Sequence, residues 1–338
     1  MDWIPSVESR SVDAVLLGRA AVDFNPVDYY KPLSQSMSFK RYLGGSPANI
    51  AVGLARLDQR VSFIGKVSDD AFGDFVVDFF RNEGILVDRV RRAGSHEHIG
   101  LTFTEMLSPE SSSILMVRDG AADLALNTDE VDMGAIASAR CLLISGTALS
   151  RPPSREAALK ALTLARLAGT PVIFDADYRP YGWASADETA VYMSMAAERG
   201  QVILGSRDEF DRMERLLGLG GTDDASADYW RGMGARIVII KHGKDGSRAY
   251  TESGVFEVKP FPVTPIKGFG GGDGYASAFL NGLLTGLPME ESLEMASASA
   301  AILVASHSCS QDMPSILDIR LFIIVNRHKA GRVVTRIG

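Results

Sequence analysis

From Lys267 to Phe279 the chain reads Lys-Gly-Phe-Gly-Gly-Gly-Asp-Gly-Tyr-Ala-Ser-Ala-Phe, which sets Gly268, Gly270, Gly271 and Gly272 ahead of one carboxylate, Asp273. Ala276, Phe279, Leu280, Leu283 and Leu284 then recur at helical spacing, and Gly286 with Pro288 closes the run. The spacing predicts a helix that begins inside this loop. Residues without a Cβ let several backbone N–H groups converge on one point, where they add to the positive end of the helix dipole, about half an elementary charge. Such a cluster attracts an anion, a phosphate above all. A carboxylate at its rim is of no use for holding phosphate but is well placed to take a proton from an attacking hydroxyl, which makes Asp273 a candidate general base and Gly270, Gly271 and Gly272 a candidate anion hole. The plainer alternative is a glycine-rich turn capped by an aspartate. Two familiar nucleotide templates do not fit: Gly-x-x-x-x-Gly-Lys-Ser/Thr is absent, and Gly-x-Gly-x-x-Gly would need glycine at position 273.

Short apolar runs at 14–17, 61–64, 142–144, 172–174, 202–204 and 237–240 read as buried strands, and helical patterns lie between most of them, near 47–57, 72–81, 154–167, 188–199 and 209–217. Alternation of this kind implies a doubly wound α/β fold, a mainly parallel sheet with helices on both faces and ligands at the carboxyl ends of its strands. Two stretches break the pattern, 24–43 and 96–119. The second holds the period-two pieces Leu101-Thr-Phe-Thr-Glu105 and Ser113-Ile-Leu-Met-Val117. Both are expected to form a small β-sheet outside the main one, either a lid over the site, a surface hairpin or a dimer contact. A lid has a physical use, since phosphoryl transfer requires water to be excluded.

The 338 residues are 46% hydrophobic, enough to bury a large core, and a formal net charge of −7 argues against nucleic acid or an anionic membrane as the main partner. No apolar run reaches the length of a membrane span, and the first residues lack a basic stretch followed by an apolar one, so a cytoplasmic location is expected. Cys141 and Cys309 lie far apart with no Cys-x-x-Cys and read as buried thiols in a reducing compartment. His96 and His98 share a loop without a third ligand at a metal spacing.

A second glycine pair, Gly44-Gly45-Ser46-Pro47-Ala48-Asn49, has a proline suited to a first helical turn and an asparagine that can project from it. Taken together with the Asp273 loop, it resembles the two signatures of the PfkB (ribokinase-like) carbohydrate kinases, over about residues 12–314. The segments 18–23, 42–51, 100–105, 145–150, 177–181, 206–210 and 238–243 bring the chain nearest to a sugar-acid branch of that family that serves inositol breakdown. The resemblance implies a three-layer ribokinase-like fold with a β lid. It also implies ATP and Mg²⁺ as cofactors, a sugar acid as the small-molecule partner, and a homodimer formed through the lid. By position it assigns Asp23, Asn25, Gly45 and Asn49 to sugar hydroxyls, Asp273 to the general base, and Glu209 to Mg²⁺ held through water. Lys241, Gly243 and Gly246 fall along the nucleotide, with Ala298 in the helix that walls the adenine. The acid substrate also needs a cation. Arg118 and Arg179 sit where related keto-acid kinases contact substrate, and Lys31 is a further candidate; the alternative for each arginine is pairing with a neighbouring aspartate.

The chain departs from the family pattern at several places. Lys267 and Gly268 occupy the sites of an Asp-Thr pair whose aspartate helps to bind a monovalent cation, so the Lys267 ammonium either replaces that cation or points to solvent. Gly271 stands where alanine is usual, and replacing it by alanine is expected to stabilise the loop. Ser206 takes the place of an asparagine. Beyond residue 314 the resemblance fades, and 315–338, basic from Arg320 onward, receives no role. Two other functions stay open: a sister kinase acting on 2-keto-3-deoxygluconate, fructose or a nucleoside, and a family member that binds sugar or nucleotide without turnover.

Overall fold

A computed structural model of the chain describes residues 3–108 and 111–338; residues 1–2, at the predicted non-secretory start, and 109–110, within the expected 96–119 segment, lie outside the described residues. Six of the apolar runs become the strands Val12–Leu17, Val61–Val67, Ala139–Ser145, Val172–Asp175, Val202–Ser206 and Ile237–Lys241. They are buried on both faces, which explains why they read as unbroken hydrophobic runs and not as alternating ones. With Val90–Arg92 they pair in parallel, in the order 90–92, 61–67, 12–17, 139–145, 172–175, 202–206, 237–241. Val12–Leu17 lies between Val61–Val67 and Ala139–Ser145, in register through Ala14 with Val61 on one side and Cys141 on the other. The strand order therefore reverses there, and a crevice opens at the carboxyl ends.

Antiparallel strands extend the far edge: Ser247–Thr251, Gly254–Val258 and Val334–Arg336. The last belongs to the segment for which no role was expected. Residues 316–330 form a helix started by a Ser315–Asp318 capping box, and 334–336 then covers the sheet edge, so 315–338 completes the main domain.

Helices cover the sheet on both faces and enclose two cores. One holds Ser46–Arg56, Ala71–Asn82, Gly271–Thr285 and Met289–Val304; the other holds Ser154–Ala168, Ala186–Ala197 and Asp223–Gly232. Hydrogen-bonded N-caps fix several starts, with Asp70 accepting from Phe72 and Gly73 N–H and Ser185 from Glu188 N–H. The helix expected near 209–217 runs instead from Arg207 to Met213, because Ser206 caps it and Glu209 returns the bond.

The two irregular stretches form a separate four-stranded sheet in the order Phe39–Gly44, Ala21–Pro26, Gly100–Met106, Ser112–Val117. It is antiparallel except where Ala21–Pro26 runs parallel to Gly100–Met106. Burial alternates strictly along Gly100–Met106, as the period-two pattern predicts. Tyr181 Oη donates to Ile114 O at 2.9 Å and Gly268 N–H to Ser112 Oγ at 3.2 Å, so the last strand of this sheet touches the main domain at two points.

Candidate active site

Four parallel strands deliver side chains to one cleft of about 600 Å³. Asp175, Ser206 and Lys241 are the final residues of their strands, Arg19 and Asp177 lie two positions past theirs, and Glu209 sits in the first turn after Ser206. The small sheet closes the other side with Asp23, Thr102, Thr104 and Met116.

Gly270 caps the Gly271–Thr285 helix with φ 86°, a left-handed conformation that a Cβ would disfavour, and that Cβ would run into Cys309 Sγ. The N–H groups of Gly271 and Gly272 have no acceptor among the described residues, as expected for the first turn of a helix. Lys241 Nζ lies 3.4 Å from where a Cβ on Gly272 would sit, so an ammonium joins the amides. Next to them is Asp273, whose Oδ1 accepts from Ser46 Oγ at 2.7 Å and whose Oδ2 accepts from Asn49 Nδ2 at 2.8 Å. Burial, reinforced by the nearby Asp177 charge, pushes Asp273 up to about 6, against the pull of those two hydrogen bonds. A carboxylate tuned in this way is ionised at neutral pH yet basic enough to accept a proton. Beside it burial also raises Asp175, partly offset by Lys241, whose Nζ is 3.8 Å from Asp175 Oδ1.

Asp23, Gly45 and Asn49 line the cleft wall as expected. Gly45 has φ 98°, and a Cβ there would collide with Arg19 O. Asp23 Oδ1 and Asn49 Oδ1 are buried without a hydrogen-bond partner. Arg179 lines the cleft and pairs with Asp177 at 2.8 Å, while its Nη1 donates to Tyr178 O. Asp177 holds φ 32°, unusual for a residue with a side chain, and also accepts from Ser145 Oγ at 2.9 Å.

Several expected contacts lie elsewhere. Asn25 is off the cleft wall: its Nδ2 donates to His307 O at 2.7 Å and its Oδ1 accepts from Thr104 Oγ1 at 2.9 Å, so both ends of the amide are committed within the protein. Arg118 is also off the wall and buried, held by an ion pair to Asp123 and by bonds to Ser150 Oγ and Thr147 O. Lys31 is exposed near Asp28. Ala298 is fully buried on the core side of its helix. Gly243 lines the cleft but Gly246 stands behind it, closing the turn by donating to Gly243 O and accepting from His242 N–H. Gly271 is not itself on the wall, and a Cβ on it would meet Val304.

Glu209 reaches the cleft with Oε1 accepting from Tyr178 N–H and Oε2 from Ser206 N–H, so its position is fixed from two sides. Lys267 does not point to solvent. It is fully buried, and its Nζ donates to the carbonyls of Leu303, Ser306 and Ser308 at 2.7, 2.7 and 2.9 Å. Cys141 and Cys309 are unpaired and buried, with burial pushing each thiol up to about 12.

Sequence reasoning missed Arg19, Ser46, Asp175 and Asp177 as wall residues. Their signal was positional: each follows or ends a predicted parallel strand, or starts the helix after the second glycine pair.

Comparison with known proteins agrees with this fold. A fructokinase with bound ATP from Xylella fastidiosa superposes with a TM-score of 0.81 at 24% identity, covering 92% of this chain and 98% of that one. Proteins named 5-dehydro-2-deoxygluconokinase are similar along nearly their whole length. The one from Clostridium perfringens is 56% identical over 99% of this chain and all of its own, and the one from Geobacillus kaustophilus 46% identical over 98% of each. The family model for the pfkB family carbohydrate kinases matches residues 12–316. With two free amides, an adjacent carboxylate and this match in hand, the chain belongs to the pfkB family of carbohydrate kinases.

Proposed function

We propose that the chain transfers the γ-phosphoryl group of ATP to the 6-hydroxyl of 5-dehydro-2-deoxy-D-gluconate, a step of inositol breakdown. The carrying observation is that Asp273 and Gly272 share one cleft wall, with the N–H groups of Gly272 and the adjoining Gly271 both free among the described residues. Ser46 and Asn49 orient the carboxylate, which removes the hydroxyl proton as the oxygen attacks phosphorus. The amides, the helix dipole and Lys241 stabilise the charge on the phosphoryl oxygens in transit. Asp23 and Asn49 orient sugar hydroxyls through their buried, unpartnered oxygens, and Gly45 admits the sugar close to the backbone. Gly243 lies along the nucleotide.

Mg²⁺ fits a donor set of this kind, since it binds through one or two carboxylates, waters and substrate phosphates and needs no all-protein cage. Glu209 would hold it through water, with Asp175 nearby, and the ion would neutralise charge on the phosphates. Lys267 takes the place of a monovalent cation, which its three carbonyl partners support. The small sheet acts as a lid, supported by its bonds to Gly268 and Tyr181, and as the homodimer contact, for which half-exposed Leu115 and Val117 on its edge strand speak. A cytoplasmic setting suits the two unpaired buried thiols.

The test is a coupled ADP-release assay on a panel of sugar acids and neutral sugars, with wild type and Asp273→Asn. The wild type should favour the sugar acid, and its rate should rise through pH about 6 as Asp273 loses its proton and level off above. Asp273→Asn should lose about a hundredfold to ten-thousandfold in kcat. ADP release in the variant at the wild-type rate would remove the base assignment, and wild-type preference for fructose, 2-keto-3-deoxygluconate or a nucleoside would name a sister kinase instead.

A further inference from the structure

Five buried or partly buried cations surround the substrate end of this fold, and four of them already have partners. Lys267 is caged by three carbonyls, Arg118 is held by Asp123, Ser150 and Thr147, and Arg179 pairs with Asp177. Lys241 faces Asp175 and the anion hole. Arg19 is different. It lines the cleft at 5% exposure, yet among the described residues its guanidinium makes no hydrogen bond and no ion pair, and its Nε is buried without a partner.

A buried guanidinium brings five N–H donors and no acceptor, and leaving them empty is costly unless something arrives to fill them. Its surroundings under-compensate it. Burial, with the neighbouring Arg118 charge, draws Arg19 below the usual arginine range despite Asp23, Asp177 and Asp123 nearby. The unpartnered atoms of the same cleft have complementary polarity: Asp23 Oδ1 and Asn49 Oδ1 are acceptors, suited to hydroxyl donors, whereas Arg19 supplies only donors and suits an anion. The phosphate has its own partners at Gly271, Gly272 and Lys241. The anion left over is the acid group of the sugar.

We infer that Arg19 is the residue that grips the substrate carboxylate and so sets the preference for a sugar acid over a neutral sugar. The inference rests on the sugar-acid reading above and deepens it. The fork of the guanidinium matches a carboxylate through two parallel hydrogen bonds, which a lysine ammonium does not reproduce. Arg19 also sits on the backbone stretch whose carbonyl packs against Gly45, so its position is tied to the helix that carries Ser46 and Asn49. Gripping one end of the substrate there orients the other end toward Asp273.

The experiment measures kcat and KM of wild type, Arg19→Gln, Arg19→Lys and Arg179→Gln. Substrates are 5-dehydro-2-deoxy-D-gluconate and its neutral counterpart, in which a CH2OH group replaces the carboxylate and the ketone is kept. In Arg19→Gln the acid-to-neutral ratio of kcat/KM should fall by about a hundredfold, mostly through KM for the acid, because the substrate charge is left buried and unpaired. Arg19→Lys should fall between, and Arg179→Gln should leave the ratio near the wild-type value. Equal losses on both substrates in Arg19→Gln and Arg19→Lys would assign Arg19 to scaffolding or to the ketone and overturn the inference, as would a collapse of the ratio in Arg179→Gln alone. If wild type itself turns over the neutral compound as well as the acid, the sugar-acid reading fails by a different observable and takes the carboxylate assignment with it. Should Arg19→Gln not fold, the Lys variant still decides, since it keeps the charge and loses only the fork.

Discussion

Lys267 and Arg19 are both buried cations beside one cleft, and the protein treats them in opposite ways. Lys267 spends its donors on Leu303, Ser306 and Ser308 carbonyls, at and beyond the C-terminal end of the Met289–Val304 helix, where the dipole also favours positive charge. Among the described residues Arg19 makes no hydrogen bond and no ion pair, and its Nε is buried without a partner. The first arrangement is complete without a ligand and the second is not, so hydrogen-bond satisfaction separates a cation that builds the fold from one that waits for substrate. Arg118 falls on the building side, although its sequence neighbourhood suggested the other.

The sharpest way to break this contrast is Arg118→Met. Removing that side chain strands Asp123, whose side chain is only 3% exposed, in the interior. Loss of one partner of a buried pair should cost about 3–5 kcal/mol, read as a drop in the urea midpoint at unchanged slope. The acid-to-neutral selectivity of the surviving enzyme should not move; if it did, Arg118 would belong with Arg19.

Lys267→Met comes next. It leaves three inward carbonyls without a donor, and about 2–3 kcal/mol of stability should go with them by the same measurement. Because the ammonium already fills the carbonyl cage, wild-type turnover should be indifferent to exchange of potassium for a large organic cation. Strong potassium activation would show that a metal site exists beside Lys267 and that the lysine does not replace it.

How far the sequence led can be seen at particular residues. Strands such as Val172–Asp175 were legible because burial on both faces leaves uninterrupted apolar runs, and Gly100–Met106 because one buried face leaves alternation. The Asp273 loop was legible because glycine, aspartate and helix start are local in sequence. Arg19 was not, since nothing local tells an arginine with partners from one without; Asp123, Ser150 and Thr147, which hold the Nη atoms of Arg118, come from scattered positions. Asn25 was misread for the same reason: His307, which takes its amide, lies 282 positions away. The 315–338 segment escaped because a strand of three residues has too little pattern to read and finds its identity only by pairing with Gly254–Val258.

The smallest expected effect concerns Gly271, and there the structure reverses the expectation. Glycine in a first helical turn is normally improvable, since alanine restricts the unfolded chain and gains about 0.4–1 kcal/mol where the backbone allows it. The backbone does allow it, as Gly271 is not among the positive-φ glycines. The obstacle is outside its own helix: a Cβ would lie 2.9 Å from Val304 Cγ1, and at Gly274, one turn on, 2.8 Å from Leu303 Cδ1. Val304 is β-branched and ends the Met289–Val304 helix, next to the Leu303 carbonyl that takes a bond from Lys267, so it has little room to rotate away. Overpacking typically costs about 1–3 kcal/mol, more than the entropic gain. Gly271→Ala should therefore be destabilised by about 1 kcal/mol in a urea melt, while keeping its N–H and with it measurable ADP release; Gly271→Ala combined with Val304→Ala should recover part of the loss. A single variant more stable than wild type would mean that the two helices separate more easily than their close approach implies.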